Sequence, residues 1–268
     1  MHFNFDFSAA QILWTLTFAG LLVLLVVLLG RDRARRFPWF TALTVMMALR
    51  MVTSRLLSQR MSPIAFDEIF LGLYDLTVIV SLGVAVEIAW RAFKDARRAA
   101  WIAGTLVVLA IGGVIMVKWG PWPSWKTLIA GSHLSALRLM QLFAQKGDLL
   151  SDMLFIEIGL LVAFFGRCFH AGWRSHTQQI AIGLSTASIT QSAIRLIWQQ
   201  IALHTTVQSQ DQYTRIMSLE QKFFSASQAV YVAVLLWWIA CLWIDEPDGA
   251  VAAGVPAGTP SEVAEPLP

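Results

Sequence analysis

Long apolar runs limit the folds open to this chain more than any other feature of its sequence. Each run holds about 20 residues, enough for a helix to cross roughly 30 Å of hydrocarbon. A backbone in lipid must satisfy its own hydrogen bonds, and the runs lack the alternation of barrel strands, so we expect helices. The sequence therefore predicts an all-α, polytopic transmembrane helix bundle of about seven spans. The predicted spans are residues 9–30, 38–57, 64–90, 99–118, 149–168, 178–200 and 222–244.

The composition agrees with a chain whose main solvent is lipid. Hydrophobic residues make up 57% of the 268 residues and charged residues only 14%, whereas soluble domains carry about 25% charged residues. The net charge of +3 comes from short basic runs beside apolar segments, which is typical of topology signals rather than of a nucleic-acid surface. We expect the lipid bilayer as a partner and no nucleic acid.

The basic residues also predict an orientation. Residues 1–8 contain Asp6 and no Lys or Arg, whereas Arg31, Arg33, Arg35 and Arg36 follow the first span. Positive charge favours the cytoplasmic side, so we expect the N-terminus outside and the C-terminus in the cytoplasm.

Arginine makes up fifteen of the 20 basic residues, and the only asparagine, Asn4, begins no glycosylation motif. These features favour a multi-pass protein of a cell membrane, the inner membrane of a bacterium.

Two segments are expected to lie outside the membrane. Residues 246–268 are rich in Asp, Glu, Pro, Gly and Ala, and contain too little apolar surface for a core. They predict a disordered cytoplasmic tail after a helical bundle in residues 1–245. Residues 124–146 mix leucines with His133, Arg138 and Gln141, which favours an amphipathic helix on the outer surface. If this segment instead spans, the count becomes eight and the tail lies outside.

Four ionisable residues fall inside the predicted spans at similar depth. They are Arg50, Asp75, Glu157 and Arg195. Counting 1.5 Å per residue places Asp75 near the middle of the membrane and the other three in its outer half. A charge at the bilayer centre costs about 2.5–3.5 kcal/mol, so such groups normally face the bundle interior and pair. We expect Arg50 and Arg195 to pair with Asp75 and Glu157, in either combination.

Polar residues on the last two predicted spans extend this set. Ser185, Ser188, Ser192 and Arg195 recur at spacings of three and four residues, which places them on one helical face. The candidate pocket residues are Arg50, Tyr74, Asp75, Glu157, Ser188, Ser192, Arg195, Gln228 and Tyr231. One interpretation is that they hold helices together, each hydrogen bond contributing about 0.6 kcal/mol. The other is a polar pocket that binds a small molecule or ion.

Several activities are not indicated by the sequence. No histidine falls in the middle of a predicted span, as an axial haem ligand would. Lys222 lies only at the edge of the last span, so a retinal Schiff base is not expected, and no hydrolase or phosphate-binding motif occurs. We predict no cofactor, no metal ligand and no catalytic residue.

Three functions remain open. The leading hypothesis is a sensory or small-ligand-binding protein with a polar pocket in the outer half, signalling through a cytoplasmic partner at the basic inner loops or the tail. The second is a small-solute or proton-coupled transporter with Asp75 and Glu157 as proton carriers. The third is a membrane-embedded lipid-modifying enzyme that uses Asp67, Glu68 and Asp75. An enzyme is the less expected outcome.

Overall fold

The protein is almost entirely helical in the part of the chain that the computed structural model describes. That part comprises residues 9–57, 60–93, 104, 107, 110–115, 117–118, 122, 133–165, 175–205 and 209–245. No strand occurs in these residues. In chain order the helices are α1 (Ala9–Gly30), α2 (Arg33–Arg36), α3 (Pro38–Leu57), α4 (Pro63–Phe93), α5 (His133–Phe165), α6 (His176–His204) and α7 (Gln210–Trp243).

Five of these helices are long and apolar enough to cross a membrane. They are α1, α3, α4 up to Ala92, α6 up to Ile201, and α7. α5 is not among them, because Asp148, Asp152 and Glu157 fall close together from the middle of the helix onward. The predicted span 149–168 overlaps the second half of α5, and the predicted span 99–118 lies largely outside the described residues.

α5 differs from the sequence-based division into a surface segment at 124–146 and a span at 149–168. It runs from His133 to Phe165 without a break, a rod of about 50 Å. The residues around the expected boundary are buried, Ala144 at 3% and Leu149 at 4% exposure, because this part of the helix packs on α4. Residues 124–132 and the tail at 246–268 lie outside the described residues.

The six long helices form a closed ring. α1 packs on α3 and α7, and the ring continues from α3 through α4, α5 and α6 back to α7, with a further contact between α4 and α6. α4 and α5 run parallel, since Gly72 lies beside Met140 and Val78 beside Gly147. Neighbours α5 and α6 run antiparallel, because Gly159 approaches Ser185.

Apolar packing is concentrated at the end of the ring where α1, α4, α5 and α7 finish and α3 and α6 begin. We call it the arginine end, because Arg31, Arg33 and Arg91 lie there. The fully buried side chains of this end include Leu24, Leu28, Phe40, Val84, Ile88, Ile180, Leu235 and Leu242. Many apolar side chains on the outside of the ring are exposed, among them Val26, Leu29, Val86, Phe164 and Leu236, as lipid contact requires.

Polar contacts close the arginine end. Asp245, just after α7, lies 2.7 Å from Arg33 and 3.5 Å from Arg31. The His176 ring nitrogen Nε2 lies 3.0 Å from the Ile244 carbonyl oxygen. The buried Glu87 carboxylate of α4 accepts a hydrogen bond from the Phe40 amide at 3.1 Å, so it satisfies a free N–H group in the first turn of α3. These contacts hold neighbouring helix ends together at the arginine end.

Candidate functional site

A polar network joins four helices in the half of the bundle away from the arginine end. We call it the Arg195 network. Its members are Arg50 of α3, Tyr74 of α4, Asp148 and Asp152 of α5, and Ser188 and Arg195 of α6. Asp148 and Asp152 are one turn apart on α5, so they share a face. Ser188 and Arg195 are two turns apart on α6, and antiparallel packing brings them opposite these two acids.

Arg195 binds both carboxylates. Its Nη2 pairs with Asp148 Oδ2, and its Nη1 lies 3.2 Å from Asp152 Oδ2. The Ser188 hydroxyl donates a hydrogen bond of 2.9 Å to Asp152 Oδ1. The side chains of Arg195 and Asp148 keep 27% and 30% of their surface exposed, against 13% for Asp152. Asp152 is thus the more buried of the two acids, and we call it the anchor of Arg195. Asp148 is the more accessible acid.

Arg50 lies on the other side of this pair, over an aromatic ring. Its guanidinium carbon is 4.1 Å from the Tyr74 ring centroid and 5.4 Å from that of Phe70, which is cation–π geometry. The Tyr74 hydroxyl faces the Asp148 carboxylate and interacts with it. The buried Arg50 Nε has no hydrogen-bond partner in the described part of the chain. Among the described residues, Arg50 forms no ion pair with a carboxylate, so its charge is only partly compensated.

The predicted pairing of Arg195 with Asp75 or Glu157 is wrong, since Asp148 and Asp152 take that place. Helical geometry gives the reason. Glu157 is nine residues after Asp148, which turns it about 180° around α5. Asp75 follows Tyr74 directly and points about 100° away from it. Each of these two acids has a buried carboxylate oxygen without a hydrogen-bond partner in the described part of the chain.

The remaining candidates lie beside the network or on α7. The buried Ser192 hydroxyl, between Ser188 and Arg195 on α6, has no hydrogen-bond partner among the residues that the structure describes. The Tyr231 hydroxyl donates to the Met47 sulfur at 2.9 Å, which ties α7 to α3. Gln228 is half-buried on α7. Within the described residues, no hydrogen bond or ion pair joins Tyr231 or Gln228 to Arg195.

Sequence reasoning missed Asp148 and Asp152. A signal was available, because the two acids have the i, i+4 spacing of one helical face. The predicted span began at residue 149, which left Asp148 at the boundary and drew attention to the deeper Glu157. Among the described residues, no three His, Cys, Asp or Glu side chains lie close enough together to hold a metal ion.

These features define a class of protein: a helical bundle with five helices suited to crossing a membrane, an apolar exterior and charged side chains in its interior. Comparisons with protein-family models, with curated proteins and with solved structures find no match for this chain.

Proposed function

We propose that the chain crosses a bacterial cell membrane seven times, with its N-terminus outside and its tail in the cytoplasm. Parallel packing of α4 and α5 supports this count. Because both helices run towards the arginine end, the chain between residues 93 and 133 has to return along the bundle. The apolar run at 99–118 is long enough for this return through lipid.

Residues between α4 and α5 support the same path. A Cβ at Gly112 would lie 3.3 Å from Leu150 Cδ1, and the Lys146 amino group lies 4.6 Å from the Trp122 ring centroid. Trp122 follows Gly112 in the chain, whereas its contact Lys146 precedes Leu150 in α5. This reversed order is the one expected when two neighbouring segments are antiparallel.

Two further observations support the proposal. The first favours seven spans over eight, and the second favours the proposed orientation. Residues 133–146 continue in the same direction as residues 149–165, which speaks against a separate span at 124–146. The arginine end carries Arg31, Arg33 and Arg91. Because positive charge favours the cytoplasmic side, this end is the one expected in the cytoplasm.

For the function, we propose a sensory protein that binds a small acidic ligand at the Arg195 network. One observation carries this proposal: Arg195 pairs with two carboxylates, whereas Arg50 lies over Tyr74 and forms no ion pair among the described residues, although the Asp148 carboxylate attracts it. A guanidinium in that state is a natural partner for a ligand carboxylate or phosphate, which it binds through two parallel hydrogen bonds.

The network also offers a way for binding to change the bundle. Asp148 contacts Arg195 and Tyr74 and is the more exposed acid. A ligand anion at Arg50 would repel Asp148, while Asp152 would keep Arg195 in place through its own contact and Ser188. The resulting shift between α4 and α5 would reach the basic inner side, where a cytoplasmic partner would respond.

A thermal-shift screen tests the binding proposal. The purified protein is melted with a panel of small carboxylates and organic phosphates, alongside Arg50→Gln and Arg55→Gln. Arg55 is an exposed arginine on the same helix and serves as the matched control. A ligand at 100 times its Kd adds about 2.7 kcal/mol of stability.

We expect at least one acid to raise the Tm of the wild type and of Arg55→Gln, and to leave Arg50→Gln unchanged. A panel without effect on the wild type, or a shift retained by Arg50→Gln, would contradict the proposal.

A second candidate function is a proton-coupled transporter, favoured by the partnerless buried carboxylate oxygens of Asp75 and Glu157. Taking up a proton removes the uncompensated negative charge of such a carboxylate, as a proton carrier requires. Reconstituted vesicles separate the two functions: a transporter accumulates the bound acid under a pH gradient and loses this accumulation in Asp75→Asn or Glu157→Gln, whereas a sensor binds without accumulation.

A further inference from the structure

An open groove of about 530 Å³ lies on the outside of the bundle between the start of α3 and the end of α4. The Trp39 ring covers Gly83, and a Cβ at that position would collide with it. The absence of a side chain on Gly83 therefore lets the indole lie against α4. The lining residues are Pro38, Trp39, Leu82, Gly83, Val86, Glu87, Trp90 and Arg91.

The walls of the groove are apolar and strongly exposed. Val86 keeps 67% of its surface exposed, Trp90 57% and Trp39 46%. Tryptophan prefers the headgroup level of a membrane, where its ring is apolar and its N–H group is hydrated. Two exposed tryptophans on either side of one groove therefore mark a site that faces lipid at this level.

The end of the groove is positively charged. The Arg91 and Arg36 guanidinium carbons lie 4.9 Å and 5.5 Å from the centroid of the same ring, that of Phe37. Glu87 is the carboxylate of the groove, and its Oε2 already accepts the Phe40 amide. Its other oxygen lies 3.7 Å from Arg91. Arg91 lines the groove, and Arg36, two residues before Pro38, contacts the same phenyl ring. Two guanidinium groups thus lie at this end of the groove, its mouth, against one, largely engaged, carboxylate.

We propose that this groove binds one anionic phospholipid. The acyl chain lies along Leu82, Gly83 and Val86, between the two tryptophans. The phosphate lies at the mouth, where Arg36 and Arg91 attract it. Basic pockets between membrane helices bind acidic headgroups in this way. A neutral lipid would fill the apolar part equally well but would gain nothing at the mouth, so the charge selects the anionic class. The site is separate from the Arg195 network; it rests on the proposed placement in a membrane but not on the proposed sensory function.

Native mass spectrometry of the full chain tests this proposal. The protein is released from nanodiscs containing equal amounts of phosphatidylglycerol and phosphatidylcholine. We expect one phosphatidylglycerol to be retained in preference, and this preference to fall about fivefold in Arg91→Gln and in Arg36→Gln, as the loss of one guanidinium near the membrane surface predicts. Arg35→Gln is the control, because Arg35 is highly exposed and pairs with Asp32 instead.

A second variant pair tests the groove without touching a charge. Val86→Trp fills the groove, whereas Val26→Trp adds the same ring to an equally exposed position on α1. We expect only Val86→Trp to lose the retained lipid, with both variants melting at the wild-type Tm. Equal retention of the two lipids by the wild type, equal loss in Arg35→Gln, or unchanged retention in Val86→Trp would overturn the proposal. Dimers that Val86→Trp abolishes, with lipid retention unchanged, would show instead that a second copy fills the groove.

Discussion

Asp148 and Asp152 share one arginine, and this sharing separates the acids of α5 into two kinds. Without Arg195, the two carboxylates would repel each other across one helical turn. Asp152 is the more buried of the two and also accepts a hydrogen bond from Ser188. Glu157 lies on another face of α5, and its buried oxygen has no hydrogen-bond partner in the described part of the chain. The two kinds of acid should respond differently to neutralisation.

Neutral amides on α5 test this difference. Asp152→Asn should lower the free energy of unfolding by about 1–2 kcal/mol, since it weakens an ion pair and a charge-assisted hydrogen bond. Glu157→Gln, the matched change on the same helix, should alter it by less than about 0.5 kcal/mol. Thermal melting of the two purified variants in one detergent measures both. Equal losses, or a larger loss in Glu157→Gln, would contradict the assignment of Asp152 as the anchor.

At this scale the sequence was informative about single residues and less so about pairs. Spacing alone predicted that Ser188, Ser192 and Arg195 share a face. Depth brought Arg50 into the candidate set, and its place beside Asp75 brought in Tyr74. Pairing depends on how each helix is rotated about its axis. One sequence does not fix that rotation, so the acids opposite Arg195 were assigned to Asp75 and Glu157 rather than to Asp148 and Asp152.

At the scale of the helices, apolar content predicted five helices that are long and apolar enough to cross a membrane, but it predicted helix ends poorly. α5 and α7 extend well beyond the predicted spans, because polar residues outside the hydrocarbon continue the helix. Close helix contacts were also invisible in the sequence. Gly159 of α5 lies against Ser185 of α6, and a Cβ there would collide with the serine side chain. Small residues at such points let membrane helices approach closely.

A leucine at Gly159 should therefore separate α5 from α6. We expect Gly159→Leu to cost about 1–3 kcal/mol, the usual penalty for overpacking a core. Gly30→Leu is the control, because no atom lies within 4 Å of a Cβ at Gly30, and it should melt at the wild-type temperature. A Gly159→Leu protein as stable as Gly30→Leu would show that α5 and α6 are not held at this distance.

At the scale of the whole molecule, the bundle has two unlike halves. The arginine end is packed with apolar side chains and closed by Asp245, His176 and Glu87. The other half holds the Arg195 network and the buried polar atoms of Asp75, Glu157 and Ser192, which have no hydrogen-bond partner in the described part of the chain. Run length and composition predicted the helical bundle, because lipid leaves few alternatives. The order of helices around the ring was beyond the sequence, since it depends on which faces pack together.

The proposed ligand-binding function requires that the Arg195 network be a pocket open to the outside. Cysteine accessibility tests this in sealed cells, with Cys168 and Cys241 replaced by alanine. A small, membrane-impermeant thiol reagent is applied to Ser192→Cys, which lies beside the network. Ser209→Cys, at the exposed start of α7, is the positive control. Ser185→Cys, buried in the packed half of α6, is the negative control.

We expect Ser192→Cys and Ser209→Cys to be labelled and Ser185→Cys to stay unlabelled. Labelling of Ser209→Cys without Ser192→Cys would mean that the network is a closed structural core. Labelling of both only after the membrane is permeabilised would contradict the orientation itself.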